Sequence, residues 1–429
     1  MSLRIAPFGP QHLEQATEMV AARYRAARAQ VPFLPARFEE PRAILPRLQD
    51  HAGNVPGVAA FRGDRLVGFV LSLLVNNRQE RMAYVPDFGH AAAAEGGYDI
   101  YRQMYAAIAD RWLANGCFLH GVTLYPHERE AIEAWGSVGF GLVVIDALQP
   151  LARAWKPGQA PPGIDLRRGR LEEIDVVSPL ELGLDRHLSA APAYLLHLIE
   201  GGRKGWQTWL ADERHALWLA YRGEEAVAYV RFEPSEGLVL PTASEATIAI
   251  TGAYTREAIR GQGIGAALLR RGFTWALAEG YAHCSVDFES ANLPGYRFWL
   301  GSGFVPVCRS LMRRVDPRLR GPALQIFQGI EPLVTRDQLE LATGSRTTTP
   351  STSTGPSTAA VTPRSVCAES SPAHWRSSST TSNGETLARR DRKPATDSWR
   401  RWGVSTASLE AVTSRRSDML ADRRASTMA

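Results

Sequence analysis

The chain has 429 residues, 45% of them hydrophobic and 22% charged, with a formal net charge of +5; it is too long for one ordinary domain and apolar enough for packed cores. The positive balance does not mark a nucleic-acid binder, because residues 343–429 alone hold 13 Lys/Arg against 7 Asp/Glu, and the near-neutral remainder offers no footprint for a polyanion. The longest apolar run, about Leu66 to Val75 and broken by Ser72, is too short to span a bilayer. The start, "MSLRIAPFGPQHLEQ", has no apolar signal region, and Cys117, Cys284, Cys308 and Cys367 form no CxxC pair. These features predict a cytoplasmic protein with no membrane or nucleic-acid partner, no disulfide framework and no metal.

In chain order, an opening strand in "LRIAPF" leads into helical segments. "AFRGDRLVGFV" (60–70) then reads as a hairpin, with an Arg-Gly-Asp turn between apolar strands. A strand, a long helix, a strand, a short helix and closing strands follow. After the Pro/Gly-rich "AWKPGQAPPG" (154–163) the order begins again at "IDLRRGR". The recurrence is literal in places. "NGCFLHGVTLYPHEREAIEAWGSVGF" (115–140) matches "EGYAHCSVDFESANLPGYRFWLGSGF" (279–304) without a gap, 164 residues later, pairing Trp135 with Trp299 and Phe140 with Phe304. The hairpin matches "AYRGEEAVAYV" (220–230) at an offset of 160. Constant offsets over such lengths indicate a duplicated domain. The expected organisation is a first domain over 1–150, a linker over 151–163, a second domain over 164–320, an extension over 321–342 and a tail over 343–429. Ser and Thr make up 32 of the tail's 87 residues; it has no helix or strand period and is expected to be disordered.

The second copy contains "IRGQGIGAALLRRG" (259–272). "ATIAITGAYT" (246–255) reads as the strand before it. The apolar residues at 264, 268, 269, 273, 276 and 277 have the spacing of a helix that stops at Gly280. Glycine allows a tight turn and a close backbone approach, and a helix N-terminus favours an anion. An ordinary strand-to-helix turn uses glycine too, so the motif alone does not decide between them.

With "SANLPGYRFWLGSGF" (290–304) about 30 residues further on, the second copy resembles the GNAT superfamily of N-acetyltransferases. Arg260, Gly261, Gln262, Gly263, Ile264 and Gly265 fit that family's R/Q-x-x-G-x-G/A loop. The likeness is strong over roughly 164–316 and weak over 1–150. It implies an α+β fold: two tandem GNAT-like domains, each with a mixed, mostly antiparallel central sheet flanked by helices. It implies acetyl-CoA as co-substrate and a primary amine, small-molecule or peptide, as acceptor. It implies that the backbone amides of the 260–265 loop hold the CoA pyrophosphate and that Ala253, Tyr254 and Thr255 pair with the pantetheine arm. A backbone N–H of that strand would also steady the oxyanion formed in acyl transfer. Asn292 would reach the cofactor from the far side; as the residue before a short helix it also reads as an N-cap.

The chemistry needs a base for the amine proton and an acid for the leaving thiolate. The resemblance implies a Tyr acid on the short helix, where this chain has Trp299, and indole supplies no proton. Tyr296, one turn earlier on a similar face, is the nearest substitute; packing is its other reading. For the base, Glu245 stands at the start of the strand before the loop, while Asp287 and Glu289 share one face of the next strand. Each also reads as a solvated rim carboxylate.

In the first copy, a shift of 164 puts Gly96, Gly97, Tyr98, Asp99, Ile100 and Tyr101 on the loop and Glu128 on Asn292. A carboxylate in the cradle and a Tyr in the backbone's approach path predict that this copy keeps the fold and loses the cofactor. His90, in "DFGHAAAAEGG", reads as a loop residue that is either ligand-facing or solvated. The expected protein is therefore an internally pseudo-dimeric monomer with one active site. Two rival readings are a non-catalytic acyl-CoA sensor, for which Trp299 speaks, and an interaction protein acting through its basic tail.

Overall fold

The two halves share one order of elements, and the short helix and closing strand of each half repeat at the offset of 164 read in the sequence. In the computed structural model the described residues are 2–53, 55–76, 80–151, 160–195 and 202–319. The expected extension and tail (321–342 and 343–429) and linker residues 152–159 lie outside them. The first half comprises β1 (Arg4–Pro7), α1 (Leu13–Gln30), α2 (Pro41–Gln49), β2 (Gly57–Arg62), β3 (Arg65–Leu71), β4 (Leu73–Asn76), β5 (Arg81–Val85), β6 (His90–Ala92), α3 (Gly97–Ala114), β7 (Cys117–Leu124), α4 (Arg129–Ser137) and β8 (Gly141–Pro150). The second comprises β9 (Asp165–Arg168), α5 (Ile174–Ser189), α6 (Gly202–Leu210), β10 (Ala216–Arg222), β11 (Glu225–Pro234), β12 (Thr247–Thr255), α7 (Ile264–Ala278), β13 (His283–Glu289), α8 (Leu293–Gly301) and β14 (Val305–Arg314). β3 and β4 of the first half stand for β11 of the second, and β5 and β6 for β12. The fold is α+β, with mixed sheets and helices packed on them.

The helix α7 forms where the apolar spacing predicts it. Its buried residues include Ile264, Leu268, Leu269, Phe273 and Ala276, which lie on one face of a 3.6-residue period. Gly272 belongs to that face for a steric reason: a Cβ there would stand 2.2 Å from the Phe232 ring on β11. The repeated Trp and Phe anchor equivalent turns. Trp135 meets Phe140 edge-on at 4.9 Å, and Trp299 meets Phe304 edge-on at 5.6 Å. Between them Gly139 (φ +90°) and Gly303 (φ +94°) reverse the chain out of α4 and α8, a conformation that glycine adopts without strain.

The strands form a four-stranded sheet, β1-β2-β3-β6, and a ten-stranded sheet, β4-β5-β7-β14-β8-β13-β12-β11-β10-β9. In the second half β11 passes unbroken beside β12; in the first, the path breaks at Ser72, whose hydroxyl is tied to the Pro56 carbonyl and the Trp112 indole. The closing strands are exchanged between the halves. β8 lies antiparallel to β13, and β14 lies antiparallel to both β7 and β8. Further contact comes from residues 239–243, which join the apolar cluster of α1 and α2. There Leu240 N–H donates to buried Asp87, and Arg37 and Arg47 donate to the carbonyls of Ala243 and Gly237. Cys117, Cys284 and Cys308 are free and buried. Among the described residues no helix is long and apolar enough to cross a membrane.

The exchange makes each half's sheet incomplete alone. A chain ending at Phe304 lacks β14 and leaves unpaired edges on β7 and β8. Hydrogen exchange should therefore show lost protection in β7 of the first half as well as in the second half; protection of β7 at the level of the longer chain would contradict the coupling.

Candidate active site

Strands β12 and β13 run parallel, but their pairing covers only Thr247–Ile250 against His283–Val286. Past that point β12 stays on β11 and β13 stays on β8. The strands splay, and residues 251–255 are only half-buried. The 260–265 loop stands at the mouth of this wedge. Gly261 (φ +78°) and Gly263 (φ +79°) hold left-handed conformations, Gly263 as the N-cap of α7. Among the described residues, a Cβ on Gly261 would meet no atom within 4 Å, and one on Gly263 only Pro161, at 4.0 Å. The ground in front of the helix is therefore open. Gly265 is needed for a different reason: its Cβ would press the Phe298 ring of α8 at 3.2 Å. The first backbone bond closed at this end of α7 runs from Ala267 N–H to Gly263 O, at 3.0 Å, so the amides before it have no acceptor within the helix. Arg260 folds back, donating through Nε to Thr255 O at 3.0 Å with its guanidinium over the Tyr254 ring. Gln262 accepts from Arg222 at 2.6 Å.

The corresponding wedge of the first half is filled. Arg23 of α1 forms a two-bond ion pair with Glu128, at 2.6 and 2.8 Å, and also donates to the carbonyls of Asp87 and His90. Burial opposes both charges, but each outweighs it for the other: Glu128 is brought down to about 2 and Arg23 is raised. His90 is no loop ligand. It opens β6 fully buried, donates from Nε2 to Thr123 O at 2.9 Å and accepts at Nδ1 from the Tyr101 hydroxyl at 3.0 Å. Desolvation, with the Arg23 charge, holds it neutral with a pKa of about 3. The expected role of Asp99 is also corrected. α3 ends in step with α7 but starts three residues earlier than the offset predicts, with Gly96 (φ +78°) as a left-handed N-cap like Gly263. Asp99 is thereby carried into the first turn, where it is exposed and pairs with Arg102. The anion at the helix mouth is Glu130, whose carboxylate accepts from Tyr98 N–H at 3.0 Å. A carboxylate there is favoured by the helix dipole and takes the place of an external anion.

The second half has His187 and Asn292 at the position of Arg23 and Glu128. His187 Nε2 meets Asn292 Oδ1 at 3.1 Å, and both pairs lie 105 residues apart in sequence. Asn292 caps α8, accepting from Gly295 N–H at 3.2 Å. With this geometry, comparison with known proteins is informative. Residues 186–304 match the Acetyltransferase (GNAT) family. This stretch is a GNAT acetyltransferase domain. A search of curated proteins gave no match. Among solved structures, the chain is similar to a GCN5-related N-acetyltransferase from Sphaerobacter thermophilus, at 14% identity over 73% of this chain and 96% of that one, with a TM-score of 0.49. It is also similar to a tandem GNAT protein from the clavulanic acid biosynthesis pathway, at 14% identity over 75% and 99%, with a TM-score of 0.43.

Within the GNAT domain the loop, the end of β12 and Asn292 surround one wedge. Glu245 does not join them. It is exposed ahead of β12, eight residues before Ala253, about 26 Å away along an extended strand; the start of a strand lies at the wrong end of it. Tyr296 is half-buried on α8, edge-on to Phe288. Trp299 is buried and serves the same turn as Trp135, so packing accounts for it. Glu289, at the splayed end of β13, is raised to about 7 by burial.

A small cavity of about 50 Å³ lies against the sheet and is walled by Asp146, Asp287, Glu233, Glu236, Ser285 and Ser310. Asp287 and Asp146 are direct cross-strand partners. Their counterparts by the repeat, Thr123 and Ser310, are partners too and share a hydrogen bond of 2.8 Å. The exchanged strand β8 thus gives the second half a carboxylate pair where the first has a hydroxyl pair. Sequence reading missed Asp146, because nothing local links it to Asp287.

Arg23→Met would strand the buried Glu128 carboxylate and should cost about 3–5 kcal/mol in denaturant unfolding. Arg23→His with Glu128→Asn installs the second half's His–Asn pair, which leaves no stranded carboxylate, and should cost far less. Equal losses for the two would show that the ion pair is not what fills the wedge.

Proposed function

We propose that the protein is an N-acetyltransferase that moves an acetyl group from acetyl-CoA to a primary amine, with one site per chain, in the GNAT domain. One observation carries this reading. The α7 mouth carries two left-handed glycines whose Cβ positions stand clear of the described residues, whereas the matching α3 mouth holds Glu130. The amides of Gly261 to Gly265 would hold the pyrophosphate, with Arg260 and Gln262 flanking it. Ala253, Tyr254 and Thr255 would line the pantetheine arm, and Asn292 the far side. Acetyl-CoA supplies an acyl group already activated as a thioester.

The residues of this chain supply the rest. Asp146, Asp287, Glu233 and Glu236 line the cavity on this part of the sheet, and the acceptor arrives as an ammonium ion. Glu289, with its pKa near neutrality, takes the amine proton, directly or through a water. The neutral amine so formed bonds through nitrogen to the carbonyl carbon as the C–S bond breaks; the second proton that the nitrogen sheds on becoming an amide passes to water, and the thiolate takes a proton from water or from Tyr296, whose phenolate is then reprotonated by water. The first half serves as scaffold and as the wall that carries Asp146. Release of free thiol from acetyl-CoA, screened against amine classes, tests the activity; no turnover with any class, despite cofactor binding, would favour a sensor.

Gly263→Asp puts an anion and a strained φ at the loop. Acetyl-CoA affinity should fall at least about tenfold, or roughly 1.4 kcal/mol, by calorimetry; unchanged affinity in the folded variant would remove the loop assignment.

Only the ionised form of Glu289 accepts a proton, so turnover should rise with pH through about 7 and level off above it. Glu289→Gln should abolish that inflection and slow turnover by about 100-fold. A variant that keeps the inflection would assign it to another group.

A further inference from the structure

We propose that Arg231, held by Glu181, is a positioning residue that sets the cleft-facing edge of β12 for the pantetheine arm; this rests on the cofactor reading above. The register between β11 and β12 slips at this point: Arg231 faces Gly252, but Phe232 faces Ile250, so Thr251 bulges out of the ladder. The bulge falls where β12 leaves β13. Arg231 is the side chain that holds it, donating through Nη2 to Thr251 O at 2.9 Å. Its Nη1 lies 3.4 Å from Glu181, which is 2% exposed and accepts a 2.8 Å hydrogen bond from the Tyr229 hydroxyl. Trp206 lies under the guanidinium. The backbone at 252 leaves just enough space: a Cβ there would stand 2.8 Å from Arg231 Nε and 3.2 Å from the Tyr229 hydroxyl.

The first half shows that the fold does not require this network. The hairpins align at an offset of 160, with irregularities after Ala60 and after Ala220. At that offset Phe69 stands for Tyr229 and Leu71 for Arg231. At the offset of 161 shared by the starts of β1 and β9 and of α1 and α5, Val20 stands for Glu181; Leu71 N–H donates to Gly89 O at 2.7 Å, so Gly89 stands opposite Leu71 as Gly252 stands opposite Arg231. Val20, Phe69 and Leu71 pack in one apolar cluster. Replacing a buried ion pair by apolar side chains is often neutral or stabilising. The half whose wedge is filled carries the apolar set, and the half whose wedge is open keeps the charged one. Stability does not explain that difference; control of the exposed edge of β12 does. With Thr251 O tied to Arg231, the backbone from 252 to 255 stays on β11 and presents its other side to the wedge.

The test transplants the apolar solution. Tyr229→Phe, Glu181→Leu and Arg231→Leu are combined in the full chain, which should melt no lower than wild type. Two probes are titrated by calorimetry: acetyl-CoA, and 3′-phosphoadenosine 5′-diphosphate, which has the phosphates but no pantetheine. The variant should bind the nucleotide within about twofold of wild type and acetyl-CoA at least about tenfold more weakly. Arg231→Lys, which keeps the charge but not the planar fork, should fall between them. Should the triple variant fail to fold, Gly252→Ala, which pushes Arg231 off Thr251, should give the same split. Acetyl-CoA affinity within about twofold of wild type in a folded variant would return Arg231 to packing. Wild-type protein that binds neither probe would remove the cofactor reading, and this proposal with it; wild type that binds both while the variants do not discriminate would remove the proposal alone.

Discussion

The exchange of closing strands is the constraint on which the rest of this molecule depends. β14 sits between β7 and β8, and β8 sits between β14 and β13, so the two halves share backbone hydrogen bonds at the centre of one ten-stranded sheet. Side-chain packing at an interface tolerates drift, but a ladder does not, because a slip of one residue turns every side chain to the other face. The exchange fixes which residues of one half stand inside the other. It puts Asp146 opposite Asp287 and Ser310 opposite Thr123. It also explains why a half with a filled wedge is retained: without β8 and the platform of α1 and α2, the GNAT domain would lose a neighbour for β13 and the support for residues 239–243.

Freed from one shared geometry, the halves have solved the same local problems in opposite ways. A splayed pair of strands leaves polar backbone that needs partners. The first half answers from within, with Arg23 on the carbonyls of Asp87 and His90, Glu128 on Arg23, and Glu130 at the helix mouth. The second has no such carboxylate at the helix mouth among the described residues, joins His187 to Asn292, and puts its buried charge behind the wedge, on Arg231 and Glu181. Charge lies inside the wedge in one half and behind it in the other, and only the second arrangement leaves room for a ligand.

Much of this was legible beforehand. The repeat, the α7 face and the Trp-to-Phe turn could be read because they rest on local periodicity and on glycines that need positive φ. Three site expectations were misplaced, each for a definite reason. Asp99 was assigned to the helix mouth by counting back a constant offset, but a left-handed glycine, not the count, starts a helix here, and Gly96 starts α3 nearly one turn early. Glu245 was taken to be near the loop because it is near in sequence, although an extended strand carries its ends far apart. His90 reads as a loop residue in "DFGHAAAAEGG", but its partners Arg23, Tyr101 and Thr123 come from other elements.

The sequence by itself determined that this is a duplicated α+β chain, where each long helix lies, and that the second copy has a bare backbone loop at a helix mouth. Those properties follow from residues a few positions apart, acting through helical period, strand alternation and the conformational freedom of glycine. Only the tertiary structure decided which carboxylates face each other, what fills the first wedge, and which side chain holds the bulge on β12. Asp146 with Asp287, Arg23 with Glu128 and Glu181 with Arg231 are partners joined by strand register and helix packing across long stretches of chain. That pairing is fixed when the sheet closes, and no local pattern in the chain encodes it.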